Sequence, residues 1–225
     1  MSQSDYPRRG DGAMHLLAGL GFLACLALAA VVWRLGPAGP APVHMDLHGR
    51  VNGWSDSPHV AMVIAGLTAA LALCYWLMGA LSGQKGRNLG VARLIIVVVA
   101  VMTAVILTAA TFGALTRPDQ GPARLQPAVL SLLFLIVGAL IGKASPNPLV
   151  GVRTYWALKS RLAWDKSNRL AGRLFFVTGL LGLIASFLAP PPMTVAAVIV
   201  AVIVSTAVAV YESWRVWRSD PERRV

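Results

Sequence analysis

Two loops carry the residue types from which chemistry could be built. In the first, His44, Asp46 and His48 alternate. In an extended strand that spacing would turn three metal-ligating side chains to one face, with His59 as a fourth candidate. The competing reading of the same residues is polar loop side chains that hydrogen-bond or face water, and it outweighs metal. The second loop runs from Asn147 to Arg173 and alternates cations, aromatics, Gly and Pro. Asn147-Pro148 excludes helix at its start, and Gly151 gives the backbone freedom ahead of Arg153-Thr154. Trp156, Ser160 and Trp164 recur every fourth residue, with Lys159, Arg161, Lys166 and Arg169 spread around them. As one short amphipathic helix in the headgroup layer, this stretch would anchor its Trp side chains at the interface and set its cations near anionic lipid. No nucleophile elbow, His-Glu zinc signature, phosphate loop or facing pair of carboxylates is legible. An enzyme is therefore disfavoured and no cofactor is expected.

The elements that position these loops are read from composition. Of 225 residues 56% are hydrophobic and 13% charged, which indicates an integral membrane protein. Six stretches approach the length needed to cross a bilayer: 14–35, 60–81, 94–115, 125–141, 170–189 and 193–211. The fourth is short, and the fifth holds Arg173 near its start, where a long side chain snorkels to the interface. Arg8-Arg9 before an apolar run resembles a secretory signal, but the run is too long for an h-region and reads as a retained helix. Cys25 and Cys74 lie within apolar runs and serve as small apolar side chains. Gly138 with Gly142, and Gly182 with Ser186, repeat a small residue every fourth position, the spacing of close helix packing inside a bundle. Pro190-Pro191-Pro192 makes the last two spans a tight hairpin. The spans hold no central charge, which disfavours a proton-coupled pump. A transporter using hydroxyls such as Thr103, Thr108 and Thr111 stays open as an alternative, as does a purely structural protein.

The net charge of +11 is distributed as topology rather than as a nucleic-acid surface. With the N-terminus inside, sixteen of the twenty Lys and Arg fall on the cytoplasmic side and four outside, so the positive-inside rule favours both termini inside. Trp33, Trp54, Tyr75, Trp76, Trp156, Trp164, Tyr211, Trp214 and Trp217 then lie near span ends, as in an aromatic belt. In the outer loop the prolines favour extended backbone, and Gly49 and Asn52-Gly53 are turn formers. The expectation is a small ordered extracellular cap.

The inner run Asn147, Pro148, Gly151, Arg153, Thr154 and Trp156, continued by Trp164, Arg169, Gly172 and Arg173, resembles the signature of the SdpI family. These are bacterial membrane proteins named for immunity to a secreted, sporulation-delaying toxic peptide. The outer run Pro42, His44, Gly49, Asn52, Gly53 and Trp54 is similar to an uncharacterised domain that typically precedes that module. Asn168 departs from the pattern, which has His there more often, so a role for a titrating imidazole is in doubt. His48 is also outside the pattern, which further weakens the metal reading. The resemblance implies protection against a membrane-active toxin and the holding of a small transcriptional repressor at the membrane.

The expected architecture is all-α, with six transmembrane helices, both termini inside, an outer cap and an interfacial cytoplasmic amphipathic segment. Its parts are a cytoplasmic tail (1–12), a three-helix region (13–115) with the cap at 36–58, an SdpI-like module (125–211) with the inner loop at 143–173, and a basic tail (212–225). The expected partners are the lipid bilayer of the bacterial cytoplasmic membrane, an extracellular toxic peptide and a cytoplasmic repressor, with no direct binding of nucleic acid.

Overall fold

The computed structural model describes residues 9–45, 51–81, 89–113 and 125–223, with side chains from 12–41, 52–81, 89–113 and 126–223. Among these the fold is helical, apart from one small hairpin. In chain order the elements are α1 (Arg9–Leu35), β1 (Ala41–Met45), β2 (Val51–Ser55), α2 (Ser57–Leu81), α3 (Gly90–Thr111), α4 (Leu125–Ile141), α5 (Tyr155–Lys159), α6 (Arg161–Leu188) and α7 (Pro191–Ser219). Five helices, α1, α2, α3, α6 and α7, are long and apolar enough to cross a membrane. The 17 residues of α4 reach about 26 Å, slightly less than a bilayer core of about 30 Å. Large apolar side chains such as Leu23, Leu73, Leu181, Phe187 and Ile203 are exposed along these helices. In water they would form an aggregating surface, whereas in a bilayer they meet lipid.

Two three-helix groups make up the bundle. Helices α1, α2 and α3 pack through Cys25, Val32, Ile64 and Ala100 towards one end, and through Ala18, Tyr75, Met78 and Ile96 towards the other. Both cysteines are free thiols. In the second group α6 lies against both α4 and α7, and α4 joins it to α3. The α4–α6 contact is built on glycine. A Cβ on Gly138 would strike the backbone of Phe176, one on Gly179 the backbone of Leu135, and one on Gly172 would come within 2.9 Å of the Gly138 carbonyl. The expected close packing at Gly138 and Gly142 is thus an intramolecular seam.

Local chemistry sets the helix ends. Asp56 Oδ1 accepts from the His59 amide at 3.2 Å at the start of α2. Pro190 caps α7 and Pro191 occupies its first turn, where a missing N–H has no cost. The sixth span runs on to Ser219 and the fifth starts at Arg161 rather than near Leu170. Half of the expected inner loop is therefore the first three turns of α6.

The segment expected as a cap is an antiparallel hairpin pairing Ala41 with Ser55, Pro42 with Trp54, His44 with Gly53 and Met45 with Val51, with irregular register around His44. Asn52-Gly53 lies inside β2 rather than in a turn, which corrects the turn reading of that dipeptide. The hairpin sits where α1 hands over to α2, and Ser57 Oγ donates to the Pro37 carbonyl at 2.8 Å. At the far end of the bundle, Val150 of the inner loop packs against the cluster around Tyr75, Met78 and Leu89. Hairpin and inner loop therefore occupy opposite ends.

Candidate functional site

The inner loop is a built structure. Asn147, 3% exposed, donates from Nδ2 to the carbonyls of Ser145 at 2.9 Å and Val150 at 2.8 Å. Its Oδ1 accepts from the amides of Leu149 at 2.9 Å and Val150 at 2.6 Å. Four bonds use the full capacity of the amide and fold the backbone around it. Pro148 fits this turn because it has no N–H to satisfy. Gly151 follows with φ +119°, a conformation that side chains resist. A Cβ there would meet Asn168 Oδ1 at 2.5 Å and the Trp164 ring at 3.2 Å.

Those two neighbours form the floor of the loop. Trp164 is fully buried and donates from Nε1 to the Ala144 carbonyl at 2.9 Å. Asn168 accepts from the Val152 amide at 2.8 Å and donates to the Trp164 carbonyl at 3.0 Å. The reading of Trp164 as an interfacial anchor is therefore corrected, and Tyr75, also fully buried, is another exception to the aromatic belt. Trp33, Trp54, Trp76 and Tyr211 are more than half exposed. The error at Trp164 has a physical origin. Its spacing from Trp156 assumed one helix, but the chain breaks at Ser160, which is extended with φ −136° and ψ 123°. The break turns Trp164 inward while Trp156 stays half-buried.

Both short hydroxyls at the ends of α5 act as caps and as ties to α7. Thr154 Oγ1 accepts from the Ala157 amide at 3.1 Å and lies 2.7 Å from Ser213 Oγ. Ser213 gives its proton to the Val210 carbonyl at 2.7 Å, so Thr154 is the donor between the two. Ser160 Oγ accepts from the Ala163 amide at 2.9 Å and donates to Asp220 Oδ2. Asp220 is 6% exposed and accepts from the Glu222 amide at 3.0 Å. Rings add to the tie: Tyr155 meets Trp217 edge to face at 6.4 Å, and the Lys159 ammonium lies 5.5 Å over Tyr155.

The expected residues divide into four places. Asn147, Pro148, Gly151 and Trp164 make the folded loop. Arg153, exposed, and Thr154 stand beside a cavity of about 230 Å³ that Phe175, Thr206 and Val210 also line. Arg169, Gly172 and Arg173 face the other way, into a groove shared with α4. At the opposite end of the bundle are the hairpin residues Pro42, His44, Asn52, Gly53 and Trp54. Asp46, His48 and Gly49 lie outside the described residues, as does the His44 side chain. Sequence reasoning missed Ser160, Ser213 and Asp220. The caps had a legible signal, a Ser or Thr three residues before the amide it accepts from. The Ser160–Asp220 contact spans 60 residues and had none.

Residues 143–211 match the SdpI/YfhL protein family. Within the chain, 56 residues are 38% identical to the immunity protein SdpI of Bacillus subtilis (strain 168), covering 24% of this chain and 27% of that protein. The chain thus spans about a quarter of the length of the curated relative it matches. No solved structure matches it. The family match takes in the folded loop, α5, α6 and most of α7, and it stops short of the hairpin and α1–α4. Residues 143–211 of this multi-pass membrane protein are thus similar to the SdpI/YfhL family.

Proposed function

We propose that the chain is an immunity-type protein of the bacterial cytoplasmic membrane that protects against a membrane-active toxic peptide. The hairpin around His44 and Trp54, on the outer face, and the helix bundle bind or exclude the peptide. The loop from Lys143 to Arg173, on the cytoplasmic face with exposed Arg153, is the response surface and holds a soluble transcriptional repressor. One observation carries the reading: a loop fixed by buried hydrogen bonds, within the family segment, lies at the end of the bundle opposite the hairpin. The charge distribution, with sixteen basic residues on one side, supports the orientation.

The test is expression of the full chain in toxin-sensitive cells challenged with secreted membrane-active peptides, at verified membrane levels. Survival of expressing cells is the expected result. His44→Ala and Trp54→Ala reduce it, while Arg153→Ala spares survival and lowers recovery of a cytoplasmic partner from native membranes. Equal killing with and without the protein counts against immunity to that peptide.

A further inference from the structure

An open groove of about 640 Å³ lies between the C-terminal end of α4 and the first half of α6. Its rim is cationic: Lys143 follows the end of α4, and Arg161, Arg169 and Arg173 come from α6. Asp165 is the one carboxylate lining it, and it is engaged by Arg161, Nε to Oδ2 at 3.2 Å. Lys143, Arg169 and Arg173 have no carboxylate partner among the described residues. Gly138, Gly142 and Gly172 line its floor, where the backbones of α4 and α6 approach closely.

Along α6 the character of the groove changes within a short distance. Arg169 and Arg173 are followed on the same helix face by Phe176 and Val177, both at least 40% exposed. At the rise of an α-helix, Arg169 and Phe176 are about 10 Å apart along the axis. The groove is therefore cationic at the end of the bundle and apolar one to two turns deeper, and its apolar part opens sideways onto the surface that meets lipid. An acidic peptide arriving from water would match the rim and leave the apolar depth unfilled. A phospholipid matches both parts, with its phosphate on Lys143, Arg169 and Arg173 and an acyl chain along Phe176 and Val177.

We propose that this groove binds an anionic phospholipid, holding its phosphate between α4 and α6. The test of this site needs neither a toxin nor a repressor. The full chain is purified into nanodiscs of equal phosphatidylglycerol and phosphatidylcholine, and retained lipid is read by native mass spectrometry. Wild-type protein is expected to retain phosphatidylglycerol over phosphatidylcholine by at least about tenfold, consistent with the attraction of several cations near the anionic headgroup layer. Arg169→Gln with Arg173→Gln brings the ratio towards parity, whereas Arg169→Lys with Arg173→Lys keeps most of it. Lys143→Gln tests the rim from the α4 side and lowers the ratio even if the double variant does not fold. Arg215→Gln, which removes a cation already paired with Glu212, leaves it unchanged. Parity in the wild type overturns the proposal, as does a ratio that survives both the double substitution and Lys143→Gln. Complete displacement by millimolar inorganic phosphate also overturns it, since a free anion site would need no acyl chain.

Discussion

At the scale of single residues, Asn147 and Gly151 hold the loop by different means. Asn147, itself buried, satisfies four backbone groups of the turn. Asn147→Asp keeps the acceptor and loses both donors, setting a carboxylate against the carbonyls of Ser145 and Val150. The expected loss is about 1–3 kcal/mol for each group orphaned, read as a lower thermal midpoint in detergent. Gly151→Ala places a side chain at φ +119° and is expected to cost about 1–3 kcal/mol; an unchanged midpoint would show that the backbone relaxes there. Asn147-Pro148 and Gly151 were legible in the sequence because their effects are local, through an absent N–H or a glycine-only conformation. Trp164 was misread because its environment depends on the Ser160 break. Asn168 is a buried clamp between Val152 and Trp164, a role an amide fills without titrating.

At the scale of elements, the α4–α6 seam separates glycines that bear contact from those that do not. Gly138 and Gly179 lie against neighbouring backbone, whereas Gly66 on α2 has nothing within 4 Å of a Cβ. Gly138→Leu is expected to separate α4 from α6 and to lower yield and thermal midpoint sharply, while Gly66→Leu, directed towards lipid, leaves both near wild type. Comparable losses from the two would mean that the seam is not the main contact of α4. The small-residue spacing at Gly138 and Gly142 revealed this packing, but it could not name α6 as the partner. Gly172 and Gly179 contribute from a helix whose first half reads as a basic loop. The hairpin was expected as an ordered cap, yet its pairing was hidden because turn-forming Asn52-Gly53 is taken up in β2.

At the scale of the whole molecule, the apolar runs were the most legible feature, since bilayer thickness imposes a length that composition reveals directly. Orientation rests on charge asymmetry and is open to measurement. Reporter fusions in the loop after Leu35 and in the loop after Gly142 are expected to report opposite sides of the membrane, the second cytoplasmic. Same-side signals would remove the two-faced mechanism. The ties of Thr154 to Ser213 and Ser160 to Asp220, 59 and 60 residues apart, also impose an order of events during synthesis. At typical elongation rates, Asp220 is made roughly 3–12 s after Ser160. Until the last turns of α7 are made, Thr154, Tyr155 and Ser160 stand without their final partners. The ties of this loop are therefore completed last, and a nascent chain interrupted before Ser213 would carry α1–α6 and part of α7 but neither tie.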